Sequence, residues 1–298
     1  MKFDAVIFDI DNVLVDTRAS YADCIRKTVE TYLETVLGFQ PSRQSLLTRR
    51  DVEEFKTLGG FNDDWDTCYG LLLYFLSLKI KRKTINELRK STPPLSSPHR
   101  WGRTKVGGKN IFPLGVKGMW RLFGKSAGVG LKPALTIKKI TEIFQRFYLG
   151  ELVWNEKLLI SKAALAQLKR SGLKLGILTG RSREEAGFAL RRFQIDSLME
   201  TIVTADDTPK GLKKPNPYGL LKIARTLGKH LRYLYVGDLP DDVLAARRAK
   251  REINISSCGF LLASVNPEVM KRELKGAKAD YVCRTPKELI NIILPTSR

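Results

Sequence analysis

The change in hydrophobic periodicity along the chain constrains the fold most, because it separates a purely helical stretch from one in which strands and helices alternate. Residues 3–8 form a near-continuous apolar run, which is typical of a strand buried on both faces. From residue 158 onward, short apolar runs alternate with amphipathic patterns, which predicts a parallel sheet covered by helices on both faces. The predicted strands of this part are 173–178, 201–204, 233–236, 253–256 and 280–283, and the predicted helices are 158–170, 182–193, 217–227 and 241–249.

Residues 18–150 have a different pattern, in which apolar side chains recur at intervals of three or four. We therefore predict an α/β core made of residues 1–17 and 151–298, with an all-helical domain of residues 18–150 inserted after the first strand. We expect this insertion to lie over the carboxyl edge of the sheet, where open α/β sheets bind ligands. The predicted helices of the insertion are 20–37, 42–58, 65–78 and 136–148, with a short helical piece around 119–123.

The positive charge is concentrated in one part of the chain. The whole sequence has 52 Lys and Arg residues against 31 Asp and Glu, and residues 79–132 hold 14 of these basic residues against the single acid Glu87. Residues 91–130 are also rich in Gly, Ser and Pro, which predicts a long basic insertion. Its charge fits either a solvated loop or contact with nucleic acid, an anionic membrane or a polyanionic substrate.

The sequence gives no sign of export or of membrane insertion. The longest apolar run, 71–76, is too short to cross a bilayer. The apolar run near the start is interrupted by Asp4, Asp9 and Asp11, unlike a secretory signal. The four cysteines include no closely spaced pair. We therefore expect a cytoplasmic protein.

Polar clusters follow several of the predicted strands. Because the carboxyl ends of parallel strands share one side of a sheet, Asp9, Asp11, Asp238 and Asp242 are expected to converge there. Four carboxyl groups in one crevice repel each other unless a cation or protons neutralise them. Oxygen ligands and only two histidines favour Mg²⁺ over Zn²⁺. Lys214 adds positive charge, which suits a phosphoryl group.

In this order, the clusters resemble the four motifs of the haloacid dehalogenase superfamily of phosphohydrolases, in its capped, phosphoglycolate-phosphatase-like subfamily. The motif positions are spread over nearly the whole chain. The resemblance implies a Rossmann-like core with an inserted helical C1 cap that closes over a small phosphorylated metabolite. The matching segments are Asp9-Ile10-Asp11-Asn12-Val13-Leu14, Leu178-Thr179-Gly180-Arg181, Lys214-Pro215-Asn216-Pro217 and Gly237-Asp238-Leu239-Pro240-Asp241-Asp242.

The resemblance also implies a role for each matching residue. Asp9 would be the nucleophile that forms an aspartyl-phosphate. Asp11 would protonate the leaving oxygen and then activate the hydrolytic water. Mg²⁺ would be held by Asp9, by Asp11 through its main-chain carbonyl, and by Asp238, with Asp242 orienting this group. The phosphoryl oxygens would be bound by Thr179, Gly180 and Lys214, and substrate contacts are expected from Asn12, Asn62, Asp63 and Arg181.

Some assignments stay open. Asn12 occupies a position that is most often Gly in this superfamily, although Asn tolerates a left-handed backbone well. The choices of Lys214 over Lys213 and of Asp242 over Asp241 rest on motif spacing alone. Asp11 argues against a dehalogenase, which typically lacks that carboxylate. A phosphonatase, a sugar-phosphate mutase and a protein that binds nucleic acid or another polyanion through residues 79–132 remain alternatives to the phosphatase.

Overall fold

The chain divides into two compact units. One comprises Met1–Thr17 and Lys157–Arg298, and the other comprises Arg18–Glu156. We call them the α/β unit and the helical unit. The structure, a computed structural model, describes residues 2–58, 60–61, 63–78, 80–92, 115–127 and 135–295. Most of the predicted basic insertion lies outside these ranges.

The helical unit is built around a central helix, α3, that packs against three of its neighbours, α1, α5 and α6. Near its boundaries, the buried carboxylate of Glu156 accepts hydrogen bonds from Ser20 Oγ at 3.1 Å and from Tyr148 Oη at 3.2 Å. These bonds tie the segment entering the unit to the segment leaving it. The helices are α1 (Tyr21–Thr35), α2 (Arg49–Lys56), α3 (Asp64–Ser77), α4 (Ile85–Ser91), α5 (Gly115–Ala127) and α6 (Ile137–Gly150).

The α/β unit contains a parallel six-stranded sheet in the order β5-β4-β1-β6-β7-β8, so the predicted α/β class is confirmed. A separate antiparallel pair joins β2 to β3. The strands are β1 (Ala5–Phe8), β2 (Val15–Asp16), β3 (Lys157–Leu158), β4 (Lys174–Leu178), β5 (Thr201–Val203), β6 (Tyr233–Gly237), β7 (Ile255–Phe260) and β8 (Tyr281–Cys283).

Both faces of this sheet are covered, which explains the unbroken apolar run at the start of the chain. Val6 and Phe8 belong to one hydrophobic cluster, whereas Ala5 and Ile7 belong to a second cluster, as the alternation of side chains along a strand requires. The helices of this unit are α7 (Lys162–Arg170), α8 (Arg183–Arg192), α9 (Tyr218–Leu227), α10 (Pro240–Ala249), α11 (Pro267–Gly276) and α12 (Pro286–Ile293).

One predicted helix starts seven residues later than the sequence suggested. The prediction of a helix over 42–58 is wrong at its start, since α2 begins only at Arg49. Its N-cap is Thr48, which forms a reciprocal capping box with Asp51. Upstream, Ser42 Oγ accepts from the main-chain N–H of Gln44 at 3.1 Å, so a local side-chain bond replaces the helical one.

Two other boundaries shift because strand pairing extends differently from the apolar pattern. The predicted helix 158–170 begins at Lys162, since Lys157–Leu158 pairs with β2 instead. The predicted strand 253–256 begins at Ile255 and continues to Phe260, past Ser257 and Gly259. Along the described ranges, every helix is too short or too polar to cross a membrane.

Candidate active site

The order of the central strands places three polar segments side by side. β1 lies between β4 and β6, and it is parallel to both. Asp9 follows β1, Thr179 follows β4 and Asp238 follows β6. Because these strands run in the same direction, the three residues lie at one carboxyl edge of the sheet, as the sequence predicted.

A buried lysine joins two of the aspartates. Lys214 Nζ lies 2.7 Å from Asp9 Oδ2 and 2.8 Å from Asp242 Oδ1. A third partner is Tyr235 Oη, at 3.2 Å. The side chain of Lys214 is only 6% exposed, whereas Lys213 is an exposed residue. Of the two lysines that the sequence offered, Lys214 is therefore the one in contact with Asp9.

Asp242 is held in place by hydrogen bonds to both of its oxygens. Tyr235 Oη donates to Oδ1 at 2.8 Å, and the main-chain N–H of Leu239 donates to Oδ2 at 3.0 Å. Gly237 allows this arrangement, because a Cβ at that position would lie 2.3 Å from Asp242 Cβ. The first turn of α10 can therefore close tightly against the end of β6.

Burial and the neighbouring charges act together on this cluster. Burial raises the pKa of Asp9 to about 7, against the opposing influence of Lys214, and Asp242 and Asp11 raise it further. Burial alone would lower the pKa of Lys214, but Asp242 and Asp9 hold it well above its ordinary value. Lys214 therefore stays an ammonium at neutral pH. It is the counter-charge that allows carboxylates to be buried here.

The same edge offers a set of oxygen donors that fits a hard divalent cation. One carboxylate oxygen from each of Asp9, Asp238 and Asp242 lies within 4.8 Å of the other two. Carboxylate oxygens are the ligands that Mg²⁺ prefers. Since Lys214, Tyr235 and the Leu239 N–H already engage Asp242, Asp9 and Asp238 are the better candidates for direct ligands.

The second aspartate of the first motif is engaged differently. Arg181 Nε donates to Asp11 Oδ1 at 2.9 Å, and its Nη2 lies 2.8 Å from the same oxygen. The Arg181 side chain is fully buried, whereas that of Asp11 is 27% exposed. The carboxylate of Asp11 therefore faces a buried guanidinium and keeps some access to solvent, as a group that exchanges protons requires.

Comparison with known proteins identifies the family. A sequence model of the haloacid dehalogenase-like hydrolases matches residues 3–250. The chain belongs to this family. It is 33% identical over 133 residues to a putative pyrophosphatase PpaX of Caldanaerobacter subterraneus and 31% identical over 118 residues to a phosphoglycolate phosphatase of Yersinia pestis. These matches span 44% and 39% of the chain, and about half of each relative (56% and 50%).

Solved structures share the fold of this haloacid dehalogenase-like chain. A putative phosphoglycolate phosphatase from Lactobacillus delbrueckii has a TM-score of 0.63 at 16% identity, covering 99% of this chain and 100% of its own. A putative haloacid dehalogenase-like hydrolase from Bacteroides fragilis has a TM-score of 0.60 at 17% identity, covering 97% and 100%. At this level of identity the likeness concerns the fold alone.

The remaining residues proposed from the sequence have distinct surroundings. Thr179 is buried at the end of β4, and its hydroxyl accepts from the main-chain N–H of Arg181 at 3.2 Å, whereas Gly180 is exposed. Asp63 belongs to the helical unit, where it caps α3 by accepting from the N–H of Trp65 at 3.0 Å. Asn62 lies outside the described residues.

Sequence reasoning missed Tyr235, which bonds both Lys214 and Asp242. A signal was present, because a tyrosine inside a continuously apolar strand must find a partner for its buried hydroxyl. Tyr235 also has the same parity as Gly237 along β6, so its side chain points to the same face as the glycine against which Asp242 packs. That parity could have placed the hydroxyl beside Asp242.

Proposed function

We propose that this haloacid dehalogenase-like protein is a Mg²⁺-dependent phosphatase that hydrolyses a small phosphomonoester. The observation that carries the proposal is the group of Asp9, Asp238 and Asp242 around one point, with Lys214 bridging Asp9 and Asp242. An anionic nucleophile, a fixed ammonium and a donor set for a divalent cation suit attack on a negatively charged phosphoryl group. The family assignment and the phosphatase names of its relatives support the same chemistry.

In the proposed reaction, Asp9 attacks phosphorus as the bond to the leaving oxygen breaks, and an aspartyl-phosphate forms. Asp11 donates a proton to the leaving oxygen, and then accepts one from the water that attacks the phosphorus of the intermediate. Water hydrolysis returns Asp9 and releases phosphate. Lys214 holds Asp9 in place and offsets negative charge throughout. Mg²⁺, held by Asp9 and Asp238 when bound, would neutralise charge on the phosphoryl oxygens.

The first test is a metal-dependent substrate screen. Phosphate release should be measured from an aryl phosphate, phosphoglycolate and pyrophosphate, of which the last two are suggested by the names of the relatives. We expect turnover with millimolar Mg²⁺, loss of turnover with EDTA and recovery on adding excess Mg²⁺. Turnover that is indifferent to the chelator would contradict the metal assignment, and no release from any phosphomonoester would contradict the phosphatase.

A second candidate function, binding of a nucleic acid through the helical unit, is favoured by the way α5 packs. Its apolar side faces α3, since Met119 is buried, Trp120 Nε1 donates to Tyr69 Oη at 3.2 Å and the Phe123 ring meets Tyr74 edge-on. The exposed residues Lys117 and Arg121 are four positions apart, hence on one side of the helix. With the aromatic rings committed to packing, contact would be to phosphates rather than to bases.

Reversing these two charges tests this candidate. We expect Lys117→Glu combined with Arg121→Glu to weaken binding of a single-stranded oligonucleotide at low salt. The slope of log affinity against log salt should become shallower by about two, one for each lost phosphate contact. The control, Lys138→Glu with Arg146→Glu, makes the same change in charge on exposed positions of α6. Equal effects of the two pairs, or no binding by the wild type, would rule out a specific role for α5.

A further inference from the structure

Asn12 follows the two aspartates of the first motif and has a left-handed backbone. Its φ is 57°, and its main-chain N–H donates to the carbonyl of Val15 at 2.7 Å. The N–H of Leu14 closes the turn by donating to the carbonyl of Ile10 at 3.0 Å. A glycine would satisfy this turn at least as well. The backbone therefore does not explain why an asparagine stands here.

The Asn12 side chain makes contacts that a glycine could not. Its Oδ1 accepts from the main-chain N–H of Thr17 at 3.3 Å and from the Thr17 hydroxyl at 3.1 Å. Its Nδ2 donates to Asp238 Oδ2 at 3.2 Å. Because a main-chain N–H can only donate, the oxygen of the amide must face Thr17, and the NH₂ group then faces Asp238. Thr17 thus fixes which end of the amide meets the carboxylate.

We propose that Asn12 is a positioning residue that orients Asp238 for a divalent cation, an inference that rests on the proposed Mg²⁺-dependent function. Asp238 contributes an oxygen to the donor set, yet it lies 226 positions from Asn12 in the sequence. An amide N–H carries no net charge, so it restrains the carboxylate without replacing the cation. The contrast is with Lys214, whose ammonium neutralises Asp9 and Asp242.

The test measures Mg²⁺ affinity directly, without substrate. Asn12→Gly keeps the left-handed turn and removes only the amide. We expect isothermal titration calorimetry to show a Kd for Mg²⁺ raised about tenfold or more, as is usual when a partner of a metal ligand is lost. Thr17→Val keeps Asn12 but removes the hydroxyl that helps to orient it, and the expected increase in Kd is smaller.

A matched control separates the side chain from the backbone. Lys278 also has a left-handed backbone, with φ of 68°, and it is exposed. Lys278→Gly should therefore leave the Kd for Mg²⁺ unchanged. Circular dichroism melting of each variant without metal establishes that it is folded.

The outcomes distinguish the inference from the function on which it rests. If the wild type binds Mg²⁺ and hydrolyses phosphomonoesters, and folded Asn12→Gly has the same Kd, Asn12 serves only the turn and the inference is wrong. If the wild type hydrolyses phosphomonoesters but does not bind Mg²⁺, the metal assignment and the inference are both wrong. A raised Kd in Asn12→Gly with an unchanged Kd in Lys278→Gly supports the inference.

Discussion

Replacement of Asp9 by asparagine is expected to lower kcat for an aryl phosphate at least about a thousand-fold, because a neutral amide is a poor nucleophile. Stability should fall as well. In the wild type, the N–H of Ile10 donates to Oδ1 of Asp9 and the Lys214 ammonium donates to Oδ2, so two donors would compete for the single amide oxygen. The expected loss in the free energy of unfolding is about 1–3 kcal/mol. Steady-state kinetics and urea unfolding measure the two effects.

The chain contains a matched control for this change. Asp4 lies five residues earlier, on the surface, where it pairs with Arg232. Asp4→Asn makes the same chemical change outside the site and should leave kcat at its wild-type value. Rapid acid quenching with ³²P-labelled substrate adds a second measurement, since the wild type should trap label on the protein and Asp9→Asn should not. Label trapped in folded Asp9→Asn, or kcat within tenfold of the wild type, would exclude Asp9 as the nucleophile.

The sheet could be predicted because a parallel strand covered on both faces leaves a plain record in the sequence. Residues 3–8 are apolar without a break, and β1 lies in the middle of the sheet. The edge that carries the site follows from this, since polar residues directly after parallel strands must share one side. The start of α2 could not be found in the same way. Ser42 and Thr48 are both good N-caps, and tertiary contacts chose Thr48.

Contacts within the site were less accessible to sequence reasoning. Two adjacent lysines and two adjacent aspartates are equivalent as symbols, and only the path of the backbone determines which of each pair turns inward. The structure brings Lys214 and Asp242 into contact. Sequence distance hides the link between Asn12 and Asp238 even more completely, because an asparagine in this turn already has a sufficient explanation in its backbone.

Replacement of Lys214 by methionine is the second change with a large expected effect. It leaves Asp9 and Asp242 buried at 2.7 and 2.8 Å from where the ammonium was, with no counter-charge. Breaking a buried ion pair by removing one partner costs about 3–5 kcal/mol in the free energy of unfolding. Loss of a preorganised positive group beside the reacting phosphoryl should also lower kcat about 100- to 1000-fold. Denaturant unfolding in EDTA and kinetics with saturating Mg²⁺ measure these losses separately.

Lys213→Met provides the control, because it removes the same side chain from the adjacent, exposed position. We expect both its stability and its kcat to match those of the wild type. The comparison is sharp because both variants lose the same charge, so a general electrostatic effect of lowering the net charge of +21 would appear in both. A deficit confined to Lys214→Met then belongs to the buried contacts with Asp9 and Asp242. If Lys213→Met lost activity and Lys214→Met kept it, the ammonium that serves the reaction would be the wrong one of the two in this account.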